Sequence, residues 1–252
     1  MVFAGLFNLL AIAVSFFSNK VLMSKKKLVV LTGAGISAES GLKTFRDSDG
    51  LWENYSIYEV ATPEGFKKNP QLVLDFYNMR RKDVANASPN NAHLVLAQLE
   101  EWMDVQIVTQ NIDDLHERAG STKVLHLHGQ IFKMRSVKNT NKIYDITGDI
   151  SLGNLAEDGS QLRPHIVWFN EDVPMIETSI SIIEDCDFFA VVGTSLLVYP
   201  AAGLVNYAPS KIPKFIIDTS IPYTNSLRNF QAIEMKASQG VKQLQKRLIE
   251  LL

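Results

Sequence analysis

One stretch near the amino terminus constrains the fold more than any other part of the chain. Residues 28–46 read LVVLTGAGISAESGLKTFR. The apolar run Val29–Leu31 is bounded by a glycine turn, which is typical of a buried parallel strand, and Gly33-Ala34-Gly35 then opens a short helix. Glycines let backbone N–H groups approach a pyrophosphate, Ala38 can replace the third glycine of such a loop, and a helix N-terminus favours an anion. The stretch therefore predicts an α/β fold with a phosphate site after its first strand.

The residues that follow this loop argue against hydride transfer. A Gly-x-Gly turn after a strand can also be an ordinary tight turn. A conventional dinucleotide-dependent dehydrogenase continues into a second strand that ends in Asp or Glu about 20 residues on. Here the segment Thr44–Trp52 is polar and aromatic and does not have the pattern of a strand. We therefore expect different chemistry at this loop.

The composition sets the size of the fold and excludes several kinds of site. The chain has 252 residues and 46% hydrophobic content, enough for one domain with a small inserted lobe. The formal net charge of −2 gives no signature of a nucleic-acid partner. The single cysteine, Cys186, excludes an internal disulfide and a four-cysteine zinc site, and we expect it to be a small apolar residue near a strand.

The first 22 residues form an apolar extension with two interpretations. The run Val2–Phe17 has no positive residue before it, unlike a secretory signal, and lysines follow it at positions 20 and 25–27. The favoured interpretation is that Met23 is the natural start and that 23–252 is the folded domain. The alternative is a short membrane anchor, whose trailing lysines would keep the rest of the chain cytoplasmic. We expect a cytoplasmic location.

Helical spacing appears in the next part of the chain. A helix is predicted to begin near Pro70 and to carry on one face Leu72, Val73, Phe76, Tyr77 and Arg80. Taken without further information, Tyr77 and Arg80 indicate a half-buried tyrosine beside a solvated arginine. A second helix is predicted over Asn91–Met103, with His93 as a core or cap residue rather than a metal ligand.

Polar side chains follow two predicted strands in the middle of the chain. The strand Asp104–Thr109 is followed at its carboxyl end by Gln110, Asn111 and Asp113, where open parallel sheets bind ligands. The alternative for Asp113 is an Asx-turn that caps the next helix. The strand Lys123–Leu127 leads into His128 and places His126 on the same face. No third ligand with suitable spacing accompanies these histidines, so we predict a base at His128 and a structural role for His126.

The last third of the chain repeats the alternation of strand and helix. The strand Asp187–Val192 ends in Gly193-Thr194-Ser195, small and hydroxylated residues of the kind that contact a cofactor. A helix is expected over Ala201–Tyr207 and a strand over Lys214–Ile217, which ends in Asp218. An amphipathic closing helix is predicted to pack through Val241, Leu244, Leu248 and Leu251.

Four ordered motifs together resemble the sirtuins, a family of NAD-dependent protein deacylases. They are GAGISAESGLKTFR at 33–46, Thr109-Gln110-Asn111-Ile112-Asp113, Leu127-His128-Gly129 and Gly193-Thr194-Ser195. The resemblance implies a Rossmann-like doubly wound parallel sheet that binds NAD. It also implies a smaller lobe built from two insertions, near 50–90 and 130–164, with the substrate in the cleft between lobe and sheet.

The resemblance also implies roles for individual residues. His128 would be the catalytic base, Asn111 and Asp113 would shape the nicotinamide pocket, and Phe45 would shield the reactive centre from water. The residues implied to bind the cofactor are Gly33, Ala34, Gly35, Ser37, Thr44, Phe45, Arg46, Trp52, Gln110, Asn111, Asp113, Gly193, Thr194, Ser195, Asp218 and Ala237. Those implied to bind the substrate are Ala38, Tyr77, Arg80, Val167, Trp168 and Phe169.

The region of the family's zinc module departs from the family pattern. Its first cysteine pair would fall near Ser136 and Asn139, and no later pair exists. We therefore predict no bound metal and an insertion, 135–162, that is held by hairpin pairing and packing. The segment Arg163–Glu171 resembles the family's substrate-binding strand and loop, where an extended peptide adds as a strand. Asn170 replaces the usual glycine there and tolerates a left-handed conformation.

The resemblance makes an NAD-dependent lysine deacylase the first hypothesis. In this family Tyr-x-x-Arg, here Tyr77 and Arg80, accompanies negatively charged acyl groups, so removal of succinyl or malonyl is expected beside that of acetyl. The products would be nicotinamide, O-acyl-ADP-ribose and free lysine, and the partners acyl-lysine proteins or peptides. The alternatives are an NAD-dependent ADP-ribosyltransferase or NAD-cleaving enzyme, and an NAD-sensing binding module without turnover.

Overall fold

The computed structural model describes residues 25–44, 51–52, 55–221, 227 and 229–252. The apolar extension, Met23, Phe45 and Arg46 lie outside this part of the chain, and so does the side chain of Trp52. The predictions made for these residues therefore stay predictions. Among the described residues, no helix is long and apolar enough to cross a membrane.

A parallel sheet forms the centre of the molecule. Its strands are β1 (Lys27–Thr32), β4 (Asp104–Thr109), β5 (Val124–His126), β9 (Phe188–Val192), β10 (Lys214–Asp218) and β11 (Gln231–Glu234). In the described part of the chain the six strands pair in the order β11-β10-β9-β1-β4-β5, all parallel. Residues Leu28–Leu31 are fully buried. The sheet is covered on both faces, so the alternating side chains of this strand are apolar on each side.

Helices cover the two faces of this sheet. The α-helices are α1 (Ile57–Val60), α2 (Pro63–Lys68), α3 (Pro70–Asn86), α4 (Asn91–Gln98), α5 (Leu115–Arg118), α6 (Ile176–Glu184) and α7 (Ala237–Leu251). Residues of α4 and α7 share one apolar cluster with the sheet, and residues of α6 pack in a second cluster on the other face. The strand order reverses between β1 and β9, because β4 and β5 follow on one side of β1 and β9, β10 and β11 on the other. The predicted doubly wound α/β fold is confirmed, and such folds bind ligands where the order reverses.

The smaller lobe combines the two predicted insertions. An antiparallel sheet is formed by β6 (Gly129–Ser136), β7 (Ile143–Asp145) and β8 (Leu162–Ile166), with β6 in the centre. A two-stranded ribbon, β2 (Leu51–Trp52) and β3 (Tyr55–Ser56), precedes α1. Helix α3 packs on β6 and β8, and Leu74 of this helix shares a buried cluster with Ile150 and Leu162. Strand pairing and apolar packing hold the insertion, as predicted.

Three predicted helices differ from the structure in backbone geometry or in length. The helix expected after Gly33-Ala34-Gly35 is two short 3-10 turns, Ala34–Ile36 and Ala38–Ser40. The second helix ends at Gln98 and continues as a 3-10 turn, while Ala201–Asn206 is also 3-10 rather than α-helical. These 3-10 segments are three to six residues long, which is too short for a sequence pattern to separate their period from that of an α-helix.

Two single-residue predictions have different outcomes. His93 is fully buried and caps α4, with Asn90 N donating to its Nδ1 atom at 3.3 Å, so it is both a core and a cap residue as predicted. Leu251 is 51% exposed, so its assignment to the packed face of α7 is wrong. It lies in the last turn of the helix, past Leu248, which is the final α7 residue in the buried cluster.

Candidate active site

One cavity of about 580 Å³ lies between the carboxyl ends of the central strands and the smaller lobe. It brings together the predicted cofactor and substrate residues that the structure describes. The lining includes Gly33, Ala34, Gly35, Ser37, Ala38, Thr44, Tyr77, Arg80, Gln110, Asn111, Asp113, His128, Val167, Trp168, Phe169, Gly193, Thr194, Ser195, Asp218 and Ala237. Residues from distant parts of the chain therefore meet at one place.

The glycine loop after β1 is locked to the loop after β9. Gly33 N donates to the carbonyl of Val192 at 3.1 Å, and Gly35 N donates to that of Gly193 at 2.8 Å. A Cβ added to Gly35 would lie 2.7 Å from the Gly193 Cα atom, a distance real side chains do not reach. Gly193 itself has φ of +64°, the left-handed region that favours glycine. Gly33 and Gly35 were predicted to approach a pyrophosphate and Gly193 to contact a cofactor, but the contact between the two loops was not predicted.

A chain of hydrogen bonds joins the polar residues after β1 and β4. Asn111 Nδ2 donates to Ser37 Oγ at 3.1 Å, and Ser37 Oγ donates to Asp113 Oδ2 at 3.0 Å. Asp113 Oδ1 also accepts from Leu115 N at 3.2 Å, the Asx-turn that was one interpretation of this residue. Burial raises the pKa of Asp113, opposed by the bonds from Leu115 and Ser37. Asn111 and Asp113 are thus fixed in the same wall of the cavity.

Two further strand ends supply polar groups. Gln110 Nε2 donates to Thr194 Oγ1 at 3.1 Å, which ties the end of β4 to the end of β9. Thr194 Oγ1 also accepts from Leu196 N at 3.2 Å. Asp218 is buried at the end of β10, where its Oδ1 atom accepts from Ser220 N at 3.1 Å. The cavity floor is therefore rich in hydroxyl, amide and carboxylate groups.

His128 is held in one tautomer by the backbone. Its Nδ1 atom lies 3.0 Å from the carbonyl oxygen of Gln110. Because a carbonyl only accepts, Nδ1 must carry the proton, and in the neutral ring Nε2 is then the acceptor. Burial lowers the pKa of His128 and the bond to Gln110 raises it, with a net fall. The ring is therefore neutral at pH 7 and can accept a proton at Nε2.

His126 is arranged differently. Its Nδ1 atom lies 2.9 Å from the Asn111 carbonyl oxygen and its Nε2 atom 2.7 Å from Glu117 Oε1. Burial disfavours its charged form, but the Glu117 hydrogen bond and charge and the Asn111 carbonyl outweigh this, so the pKa of His126 is raised. Both ring nitrogens have protein partners. The arrangement agrees with the structural role predicted for this histidine.

The predicted acyl residues lie deep in the cavity. Tyr77 is fully buried and Arg80 is 5% exposed, so the alternative of a half-buried tyrosine beside a solvated arginine is wrong. Trp168 Nε1 donates to the Tyr77 hydroxyl oxygen at 3.0 Å. Burial raises the pKa of Tyr77 well above its usual value, so the phenol stays protonated. Helical spacing placed the two residues together but carried no signal of their depth.

The segment after β8 forms the rim between the two lobes. Val167 N donates to the carbonyl of His128 at 2.9 Å, and Phe169 N donates to that of Ala61 at 2.9 Å. Asn170 has φ of +69°, so the predicted left-handed turn at this position is confirmed. Phe169 is 37% exposed while Trp168 is 3% exposed. Only part of this segment is therefore open to a ligand from outside.

Comparison with known proteins decides the family. The sequence profile of the Sir2 family matches residues 33–200. This chain belongs to the Sir2 family. The resemblance to the sirtuins, which rested on four short motifs, is confirmed.

Individual Sir2 relatives match over most of their length. A Helicobacter pylori protein named "NAD-dependent protein deacylase" is 51% identical over 226 residues, covering 90% of this chain and 99% of the relative. A solved Sir2 homolog–NAD complex superposes with a TM-score of 0.78 at 37% identity, covering 89% of this chain and 91% of the other. A Sir2 protein with a deacetylated p53 peptide and 3′-O-acetyl ADP ribose superposes with a TM-score of 0.73 at 30% identity, covering 89% and 94%.

In the region that corresponds to the family's zinc module, Ser136 forms a network of hydrogen bonds. Ser136, at the position predicted for a cysteine, is fully buried, and its Oγ atom accepts from Lys138 N at 3.0 Å and Asn139 N at 3.1 Å. The same hydroxyl donates to Asp158 Oδ2 at 2.6 Å. In the part of the chain that the structure describes, no three His, Cys, Asp or Glu side chains cluster as metal ligands.

Part of the cavity lining was not predicted from the sequence. Lys43, Ala61, Val84, Val173, Tyr199 and Met235 also line it. Most of these are apolar residues that surround the polar groups, and their sequence neighbourhoods resemble ordinary core or loop. Glu171 also lines the cavity, and its position in the segment Arg163–Glu171 was the one available signal.

Proposed function

We propose that this protein is an NAD-dependent protein-lysine deacylase that removes acetyl, succinyl and malonyl groups. Its products would be nicotinamide, O-acyl-ADP-ribose and free lysine. The observation that carries the proposal is that one cavity contains His128, the Asn111–Asp113 wall and the rim formed by Val167–Phe169. The names of the Sir2 relatives support the activity, and the acyl preference is our own extension of it.

The residues of the cavity fit NAD. The two locked glycine loops lie where the strand order reverses, the position at which open α/β sheets bind nucleotides. Gln110, Thr194 and Asp218 present groups that can bond to ribose hydroxyls. When bound, NAD supplies a ribose carbon that releases nicotinamide and receives the acyl oxygen. The residues we propose to hold it are Gly33, Ala34, Gly35, Ser37, Thr44, Phe45, Arg46, Trp52, Gln110, Asn111, Asp113, Gly193, Thr194, Ser195, Asp218 and Ala237.

His128 acts as the catalytic base in this proposal. The backbone contact to Gln110 keeps the proton on Nδ1 and leaves Nε2 to accept one from a ribose hydroxyl. The lowered pKa keeps the ring in the accepting form at neutral pH. Asn111 and Asp113 position nicotinamide, since the hydrogen-bonded chain through Ser37 fixes both side chains.

Tyr77 and Arg80 bind the far end of a negatively charged acyl group. A guanidinium can hold a carboxylate through two N–H groups while a phenol donates a further hydrogen bond. Their burial strengthens such a contact, because a charge-assisted bond is screened less away from water. Ala38 lines the same cavity with a small side chain, and Val167, Trp168 and Phe169 wall the acyl-lysine tunnel.

The partners proposed are acyl-lysine proteins or peptides, and the location is cytoplasmic. The net charge of −2 favours no nucleic-acid partner.

The test is a mass-spectrometric assay with NAD and matched acetyl-lysine and succinyl-lysine peptides, following kcat/KM for each. We expect NAD-dependent loss of both acyl groups, with succinyl lost faster. Release of nicotinamide with neither peptide altered would reject deacylation in favour of NAD cleavage. Loss of acetyl alone would keep the deacylase and reject the acyl preference.

A further inference from the structure

An ion pair between Arg163 and Glu171 lies at the wall of the acyl pocket, where Glu171 itself lines the cavity. Arg163, on β8, donates from Nη1 to Glu171 Oε1 at 2.6 Å and from Nη2 to Oε2 at 3.1 Å. Its Nη2 atom also donates to the Ile166 carbonyl at 2.8 Å. Arg163 is 6% exposed and the Glu171 side chain is 21% exposed, so the two parallel bonds of the guanidinium are largely shielded from water. A pair of this kind holds its geometry much more rigidly than a surface contact does.

This ion pair fixes Trp168 in two ways. Glu171 Oε2 accepts from the backbone N–H of Trp168 at 2.8 Å. The guanidinium carbon of Arg163 lies 3.2 Å from the centroid of the indole ring, a cation–π contact. The backbone and the ring face of one tryptophan are thus held by the two partners of one ion pair.

Trp168 in turn fixes the orientation of the Tyr77 hydroxyl. Its Nε1 atom donates to the Tyr77 oxygen at 3.0 Å. A phenol oxygen that accepts a bond from one side directs its own O–H elsewhere. The Arg163 charge by itself lowers the pKa of Tyr77, but burial dominates and raises it, so the hydroxyl keeps its proton.

We propose that Arg163 and Glu171 are positioning residues for acyl selectivity, because they hold Trp168 where its indole orients the Tyr77 hydroxyl towards the end of the acyl group. The inference rests on the proposed function and names residues to which that function assigns no role. A purely structural ion pair would affect every acyl-lysine substrate equally. A positioning pair affects a charged acyl group more than acetyl, which does not reach Tyr77.

The test compares kcat and KM for acetyl-lysine and succinyl-lysine peptides in the wild type and in Glu171→Gln. The substitution keeps the shape of the side chain and removes its charge. We expect kcat/KM for succinyl to fall about tenfold, mainly through KM, and that for acetyl to change far less. Lys82→Gln is the control, since the Lys82–Asp149 ion pair at 2.8 Å also joins the two insertions of the smaller lobe but is solvent-exposed. It should leave both peptides unchanged.

A double-mutant cycle separates positioning from general damage. Trp168→Phe keeps a ring for Arg163 and removes the indole N–H, so it should lower the succinyl-to-acetyl ratio by itself. Adding Glu171→Gln to Trp168→Phe should then leave the ratio unchanged, because the pair acts through Trp168. Arg163→Lys replaces Glu171→Gln if the latter does not fold.

Four results would each contradict part of this proposal. Equal losses on both peptides, or additive effects in the cycle, would overturn the positioning role. An unchanged ratio in Trp168→Phe would overturn it as well. A wild-type protein that alters neither peptide with NAD would instead reject the proposed function itself.

Discussion

His126 and His128 contact two consecutive carbonyl oxygens of one loop, those of Asn111 and Gln110. The rings differ at their other nitrogen. His126 Nε2 is bonded to Glu117, whereas His128 lines the cavity. The pKa is raised for His126 and lowered for His128. One strand end therefore carries a structural histidine that favours charge and, two residues on, a neutral histidine that can accept a proton.

The His126–Glu117 pair predicts a pH-dependent contribution to stability. The folded-state pKa of His126 is raised, so its stabilisation is complete below about 6.5 and is lost as pH rises through the folded value. That of Glu117 is lowered, because the His126 bond outweighs burial, so its stabilisation is present above about 4.5 and is lost as pH falls through the folded value. The pair stabilises the fold most between these limits.

Glu117→Gln should therefore lower the free energy of unfolding more at pH 6 than at pH 9. At pH 6 the free energy of unfolding of Glu117→Gln is expected to be about 1 kcal/mol below that of the wild type. The effect is small because the Glu117 side chain is 38% exposed and water screens the pair. Denaturant titrations of both proteins at both pH values measure it. His93 and His116, whose burial lowers their pKa values, affect both proteins alike and cancel in the comparison. Equal differences at pH 6 and pH 9 would contradict the assignment.

Arg80→Met should reduce removal of succinyl far more than removal of acetyl. The variant loses a charge-assisted bond to the substrate carboxylate, which is worth about 1.5–3 kcal/mol, or roughly 10- to 150-fold in kcat/KM. Methionine is apolar and of similar length, so the buried site stays filled. Peptide assays with both acyl groups measure the effect. Comparable losses on the two substrates would remove Arg80 from the carboxylate role.

The smaller lobe should be stable without metal and should depend on Ser136. Ser136→Ala leaves the amides of Lys138 and Asn139 without their acceptor, at a cost of about 1–3 kcal/mol. Thermal melts should show a Tm lowered by about 2–4 °C per kcal/mol. Ser151→Ala is the control, because this serine is exposed in the same insertion. A chelator should leave the wild-type Tm unchanged, and a clear fall would overturn the prediction of a metal-free lobe.

The parallel sheet could be predicted from the sequence because its signals are local. The strand Asp104–Thr109 has the predicted bounds, since Val105, Ile107 and Val108 mark a short apolar segment between polar ends. The strand predicted over Lys214–Ile217 begins at the predicted residue and extends one residue further, to Asp218. Helix ends were less predictable. Leu99 is fully buried in a 3-10 turn, and burial alone does not reveal the backbone geometry.

The site was predictable residue by residue but not in its contacts. Tyr77 and Trp168 are 91 residues apart, and nothing in either neighbourhood predicts that the indole bonds to the phenol. Gly35 and Gly193 show the same difficulty, because each was assigned to a ligand while the close approach of their backbones depends on strand order. Contacts between chain segments this distant are set by the assembled fold.

The most direct test of the account replaces His128 by tyrosine and follows NAD-dependent release of unmodified lysine peptide. The base should contribute about 10²–10⁴-fold to the rate, so His128→Tyr should lose at least a hundredfold in kcat/KM. His126→Gln, which changes the neighbouring structural histidine, should lose far less when assayed at a temperature where it is folded. A His128→Tyr protein that keeps full deacylase activity would contradict the account.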